Sequence, residues 1–403
     1  VKQRRFALNL VSAVVGAALG AAGVLALGGI TDGDTGSERR PRPVTLAEPN
    51  VRTPVISGTV LLGWAPGGLP ANTEQVLEAT AGVRHATTVI AGLDWIETTR
   101  AADGSVVDRP EDGFRIPFET AVIEPREYAR FVSPVDRPLI EALGRGDLLL
   151  AQSAAGLRRG DQGMTIRFDG RTDTVAGTIS DDAANGYEGM MRGPVPATWM
   201  RADRFVLVKT ANPNARARVQ AALRSVLAPG QVVRVRAQGE TPFLRYGDAV
   251  LPQMLIKNAF GEFAARPLST GSIQIQRGWV RRNIDSARVP VLGKVICHRA
   301  LFPQLRAAMR QVVAENLAYA LDPDDFGGCY SPRFIDSNPG GRLSHHSWGI
   351  AFDVNVAENA FGSKPDLDRR LVRIMEGAGF TWGGRWLIPD GMHFEWVDWA
   401  PAG

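Results

Sequence analysis

The sequence predicts an α+β protein in three parts: an N-terminal transmembrane helix, a small α+β extracytoplasmic domain and a C-terminal α+β domain. Three observations carry that prediction. An uncharged run extends from Phe6 to Ile30. A hairpin and a strand–helix–strand pattern occupy the middle of the 403-residue chain. Two short alternating strands near the C-terminus carry histidine, aspartate or glutamate on one face.

Lys2, Arg4 and Arg5 precede the apolar run. As a helix it spans about 37 Å at about 1.5 Å per residue. That is enough to cross a hydrocarbon core about 30 Å thick. The leading basic residues favour a cytoplasmic N-terminus, although Arg39, Arg40 and Arg42 lie on the far side and weaken the asymmetry. A cleaved signal peptide, processed near Val24-Leu25-Ala26, is the alternative. Residues 1–30 are thus expected to be a cytoplasmic tip and membrane anchor, or a leader. Both routes place the rest outside the cytoplasm, either held at the plasma membrane by a single pass or secreted. Residues 31–50 are rich in Gly, Asp, Arg and Pro with no apolar period, as in a flexible linker.

Residues 51–250 form the middle domain. Met164–Phe168 and Thr172–Ala176 flank Asp169-Gly170, and Asp-Gly supplies the positive φ that a tight hairpin turn requires. Phe205–Val208 and Val232–Val235 read as strands, with apolar residues at helical spacing over Ala215–Leu227 between them. The sum suggests a small α+β sandwich that distantly resembles the extracytoplasmic domains of ABC-type permeases. No chemistry is apparent here. His85 stands alone, and Asp181-Asp182 reads as a solvated pair. A binding or positioning role remains, with a protein partner as one option.

Charge is nearly balanced, with 46 basic and 42 acidic side chains. No stretch interleaves basic and aromatic residues, which argues against a nucleic-acid partner. With only five histidines and two cysteines, the candidates for a metal site are few.

The chemistry concentrates in residues 251–403. From Gly349 the chain alternates. Ile350, Phe352, Val354 and Val356 share an apolar face, while Gly349, Ala351, Asp353 and Asn355 share the other. Small residues leave open volume, and a carboxylate is aimed into a core only to meet a cation or a donor network. In Met392–Trp396, His393 and Glu395 share the face opposite Met392, Phe394 and Trp396. A catalytic zinc needs three protein ligands and an open position. His346, Asp353 and His393 meet that count, and Asp390 lies three residues before His393. The same residues could instead form a structural His–Asp–His hydrogen-bond network. His345 is expected to point away from its neighbour, and His298 to be no ligand. Glu395 could orient a ligand, pair with Arg333 or be solvated. Trp348, Trp382, Trp386, Trp396 and Trp399 are expected mostly in the core, with one or two walling a cleft.

Ser344-x-His346-x-x-Gly349-x-Ala351-x-Asp353, followed by Asp390-x-x-His393, resembles the metal-binding signature of the M15 family. These are the zinc D-alanyl-D-alanine carboxypeptidases and L-alanyl-D-glutamate endopeptidases of peptidoglycan metabolism. The resemblance runs from about Leu251 to the C-terminus and takes in Gly328–Arg333 and Trp382–Trp386. It implies an α+β domain around a central antiparallel sheet, a zinc cofactor held by His346, Asp353 and His393, and a peptidoglycan stem peptide as substrate. It further implies Asp390 as general base, Arg333 at the developing oxyanion or the substrate, and Ser344 supporting the loop around His346. Many relatives carry Glu at the base position; the Asp here points towards the endopeptidase branch. The rival readings are a non-catalytic wall-binding or scaffold protein, and an adaptor working through its middle domain.

An exported chain meets an oxidising setting, and Cys297 and Cys329 allow one intrachain pairing. A disulfide is expected there, with two buried thiols as the alternative.

Overall fold

The computed structural model describes residues 57–248 and 251–399. The expected N-terminal membrane helix and linker fall outside the described residues. Among those described, no helix is long and apolar enough to cross a membrane. The three-part architecture expected from the sequence is therefore corrected: a membrane helix, inferred from hydropathy and length alone, has no support in the structure. The small α+β sandwich is corrected too, because the middle of the chain is mostly sheet and part of that sheet closes into a barrel.

β1 (Ser57–Trp64), β2 (Val83–Arg100), β3 (Val106–Asp108), β4 (Ile116–Val122), β5 (Asp147–Ala151), β6 (Thr165–Phe168), β7 (Arg171–Ile179), β8 (Gly189–Met191), β9 (Asp203–Thr210) and β10 (Arg234–Gln238) form one ten-stranded sheet. β2 organises it. Its 18 residues pair with β9 over Val83–Ala91, with β4 over Ile90–Ile96, and with β6 over Ile96–Arg100. The last pairing closes the ring β2–β4–β8–β5–β7–β6, which removes the free edges that an open sheet would present. Beyond the ring, β9, β1 and β10 extend the sheet from the first half of β2. The hairpin at Asp169-Gly170 is present, with Phe168 opposite Arg171 and Gly170 at φ 77°.

Period-two alternation sorts the cores. Leu148 and Leu150 join Ile96, Phe118, Ile166, Phe168 and Val175, a cluster fed by the ring strands. Leu149 and Ala151 face a second cluster with Leu62, Val89 and Phe205.

Among the described residues, the helices of seven residues or more are α1 (Gln152–Arg158), α2 (Arg216–Val226), α3 (Gln253–Phe260), α4 (Arg277–Asn283), α5 (Phe302–Ala314) and α6 (Arg369–Gly377). On α2, Val219 and Leu223 pack against Val233 and Val235. The C-terminal part holds the small pair β11 (Ala265–Pro267) and β12 (Ile273–Ile275), and the hairpin β13 (Ile284–Val289) and β14 (Gly293–His298). It also holds an antiparallel sheet of β15 (Phe326–Gly328), β16 (Ala351–Val354), β17 (Phe380–Trp382) and β18 (His393–Trp396), in the order β15–β16–β18–β17. Leu305 and Met309 of α5 and Leu371 and Met375 of α6 share one apolar cluster with Phe352 and Phe394.

α3 belongs to both parts. Met254 packs with the barrel side, and Ile256 and Phe260 pack with the C-terminal cluster. Charges follow the same seam. Lys257 Nζ lies 2.7 Å from Glu188 and 2.8 Å from Glu262, Arg158 lies 2.6 Å from Glu262, and Arg245 binds both oxygens of Glu119 at 2.7 Å.

Cys297 and Cys329 are joined in a disulfide, with Cα atoms 5.2 Å apart. It ties the end of β14 to the loop after β15, and Tyr330 N–H donates to the Ile296 carbonyl beside it (3.0 Å). Replacing both cysteines with alanine is expected to cost about 3–4 kcal/mol, the chain-entropy value for a loop of this length. Denaturant titration of the double variant measures the cost. Two free thiols in unreduced, denatured protein would remove the premise.

Candidate metal centre

Sheet register does most of the work of assembling the centre. In the β16–β18 ladder Asp353 is the direct cross-strand partner of His393, so both side chains leave the sheet on one face. Gly328 of β15 stands opposite Asp353 on the other side. His346 arrives from the short turn His345–Ser347 that precedes β16. Ser344 caps that turn by accepting a hydrogen bond from His346 N–H (3.3 Å).

The turn is fastened to the arginine loop. Ser344 N–H donates to the Arg333 carbonyl (3.0 Å), and Ser331 N–H donates to the His346 carbonyl (3.0 Å). Arg333 N–H donates to Ser347 Oγ (3.1 Å). Arg333 itself is half-buried, and among the described residues its guanidinium makes a single long hydrogen bond, to the Ser331 carbonyl (3.5 Å).

Three donor atoms meet. His346 Nε2 lies 3.3 Å from His393 Nδ1 and 3.3 Å from Asp353 Oδ2, and His393 Nδ1 lies 3.0 Å from Asp353 Oδ1. Bonds of about 2.0–2.1 Å in tetrahedral geometry place donors about 3.3 Å apart, so the spacing fits one face of such a polyhedron. The outer nitrogens are engaged. His346 Nδ1 is 3.0 Å from the Cys329 carbonyl, and His393 Nε2 is 3.4 Å from Glu395 Oε2. Those partners hold the other ring nitrogens towards the centre, as metal-ligating histidines require. Glu395 Oε2 also lies 2.7 Å from His345 Nδ1. The His–Asp–His group can therefore hold a metal ion.

Asp390 sits in the loop before β18. Its backbone N–H donates to the Gly383 carbonyl (3.0 Å) and its carbonyl accepts from His393 N–H (3.3 Å). Its Oδ1 is buried and has no hydrogen-bond partner among the described residues. A buried carboxylate oxygen left open in this way is an exception of the kind found at catalytic or water-binding positions. A Cβ on Gly383 would come within 2.7 Å of the Asp390 carbonyl oxygen and 3.3 Å of His393 Cβ, so only glycine leaves that loop its path.

Electrostatics separate the roles. Burial lowers the His346 imidazole from its usual range, more than Asp353 restores, which favours the neutral, ligating form. Asp353 is held well below the usual carboxylate range, because His346 and His393 outweigh its burial. Glu395 is likewise held low, His345 and His393 outweighing burial. Asp390 is pushed up to about 7, chiefly by burial. A carboxylate tuned to that range can exchange protons near neutrality.

Burial alone would lower His393, but Asp353 and Glu395 raise it to about 10. Below that pH the metal-free site carries a proton that a metal must displace. Apparent affinity for a divalent metal is therefore expected to rise about tenfold per pH unit as the pH climbs from neutral towards about 10, with about one proton released per metal. Calorimetry in buffers of different ionisation enthalpy counts that proton. A flat affinity and no release would refute the proton's place in the site.

The sequence-derived candidates thus come together: His346, Asp353, His393 and Asp390 at the centre, Ser344 beneath His346, and the Arg333 loop alongside. His345 does not reach the centre but sits behind it on Glu395. Glu395 is buried beside the His393 and His345 rings, which excludes plain solvation. His298 is buried away from the centre against the Phe260 carbonyl (3.2 Å). Asp181 is not merely solvated, since its carboxylate accepts from the Ser153 N–H (2.8 Å) and hydroxyl (2.6 Å) at the start of α1. The Cys329 carbonyl was not legible as a site element, whereas Gly383 lies in the Trp382–Trp386 stretch that the resemblance takes in. Trp386 packs against the His393 ring, with centroids 5.1 Å apart.

Residues 337–396 match the family model described as D-alanyl-D-alanine carboxypeptidase. The matched segment holds His346, Asp353, Asp390 and His393 but not Arg333 or the disulfide, and it is shorter than the resemblance read from the sequence. No curated protein matches the chain. Among solved structures, the chain is similar to the periplasmic region of MacB from Actinobacillus actinomycetemcomitans, at 13% identity and a TM-score of 0.32, over 47% of this chain and 92% of that one. A likeness at that level carries no argument about function.

Proposed function

We propose that this protein is a zinc peptidase that hydrolyses peptide bonds in the stem peptides of peptidoglycan, outside the cytoplasm. The observation that carries the reading is the buried His346–Asp353–His393 triad beside an Asp390 oxygen with no hydrogen-bond partner among the described residues. The disulfide supports an oxidising compartment. Zinc, when bound, supplies Lewis acidity and acidifies a water.

The chain's own residues account for the rest. Asp390 Oδ1 takes the proton of the attacking water and returns it to the leaving amine. Arg333, with donors left over after its loop contacts, meets the negative charge that develops on the scissile carbonyl oxygen. Glu395 and His345 keep the His393 ring from turning, and the Cys329 carbonyl does the same for His346. Trp386 offers a flat apolar wall beside His393.

Incubation of the zinc-loaded protein with purified muropeptides, followed by mass spectrometry, tests the reading. Loss of a terminal alanine identifies a carboxypeptidase, and a cut after the first stem residue identifies an endopeptidase. Intact muropeptides that nevertheless bind would replace the enzyme with a wall-binding protein.

A further inference from the structure

A groove of 730 Å³ runs between the barrel side and the C-terminal domain. One wall is β10 and α2, and the other is the segment Thr381–Leu387. Trp386 lines this groove and also packs on His393, so the groove and the metal centre share a wall. Five arginines line it (Arg216, Arg224, Arg234, Arg236 and Arg385) against the two acids Glu240 and Asp248.

Three of these arginines are satisfied. Arg216 pairs with Glu240, Arg234 with Asp248 at 2.8 Å, and Arg385 with Glu376. The other two are not hydrogen-bonded to any carboxylate among the described residues. Arg224 is exposed. Arg236 is only 6% exposed, its Nη2 donates to the Arg245 carbonyl (2.5 Å), and its Nε has no partner among the described residues. Alternation along β10 explains the placement: Val235 and Ala237 enter the core under α2, and Arg236 takes the opposite face. A guanidinium buried with an open donor is costly to keep unless an acceptor arrives. Burial holds the Arg236 guanidinium down to about 10, and it remains a cation at neutral pH.

We propose that this groove binds a carboxylate-bearing stretch of the peptide substrate away from the scissile bond, with Arg236 and Arg224, which line it from opposite faces of β10, each supplying a cation. The inference rests on the peptidase reading and adds to it a subsite built jointly by the two halves of the chain. Planar guanidinium forks match carboxylates in two-point fashion. The volume suits a short peptide segment.

The test uses the full chain carrying Asp390→Asn, so that no probe is consumed. Two probes are titrated by calorimetry: an acidic stem-type peptide, and the same peptide with its side-chain carboxylates amidated. The acidic probe is expected to bind about tenfold or more tightly than the amide, since hydrogen bonds to charged groups are the strong ones. Arg236→Gln and Arg224→Glu should each abolish most of that preference. Arg224 is exposed, so its reversal leaves the fold intact even if Arg236→Gln does not fold. An undiminished preference in Arg224→Glu overturns the proposal.

With wild-type Asp390 restored, the same arginine variants should raise KM for the acidic peptide to that of the amide and leave kcat within about twofold. If no peptide is cut by any variant, the peptidase reading fails while the calorimetry still decides the groove.

Discussion

His393→Ala is expected to abolish metal binding and turnover together. The wild-type chain should carry about one zinc, and the variant less than about a tenth of that, because a three-ligand site reduced to two keeps neither count nor geometry. Turnover should fall by about a thousandfold or more, the several kcal/mol that a metal contributes at a developing oxyanion. The deletion also strips Glu395 of its contact with the His393 ring, while His345 stays 2.7 Å from its carboxylate. Some loss of stability will accompany it. His346→Ala is the cleaner companion, since the backbone partner it abandons, the Cys329 carbonyl, is neutral. Elemental analysis of both variants decides the matter. Full zinc occupancy in both would sink the ligand assignment.

Asp390→Asn should behave in the opposite manner, retaining its metal and losing its rate. The side chain is nearly isosteric, and the backbone bonds to Gly383 and His393 that shape the loop do not involve the carboxylate. What disappears is a proton acceptor tuned to about 7. General acid–base groups contribute about 10²–10⁴-fold, and the fall in kcat should lie in that range with zinc content unchanged. The wild-type rate should decline as the pH drops through about 7, because the raised carboxyl takes up its proton there and can no longer act as base. If Asp390→Asn keeps more than about a third of the wild-type rate, the base lies elsewhere.

The centre was legible in the sequence because a strand's alternation states which side chains share a face. Asp353 and His393 could be assigned to polar faces without any knowledge of pairing, and the register then set them opposite each other. His345 was harder, since a one-turn helix rotates adjacent residues in different directions and only the fold shows that Glu395 receives this ring. The Cys329 carbonyl carries no residue-type signal at all. The barrel was illegible for a different reason. Its closure depends on Ile96–Arg100 meeting Thr165–Phe168, about 70 residues later, and such pairing is fixed by the whole sheet and not by any local pattern. The unpaired Arg236 falls between these cases: β10 alternates plainly, but that its polar face meets Thr381–Leu387 is a property of the assembled chain.

The charged seam on α3 has a thermodynamic consequence. Lys257 has no exposed side-chain surface, and its counter-ions come from opposite sides: Glu188 from the barrel, Glu262 from the start of the C-terminal part. If the barrel opened first, that ammonium would lose a buried partner, at a cost of about 3–5 kcal/mol. The Arg158–Glu262 pair, which also crosses between the halves, would add to it. Neither half can then melt while the other stays native, and scanning calorimetry should record one cooperative transition with equal calorimetric and van't Hoff enthalpies. The free energies of the two halves, taken separately, would not sum to that of the whole.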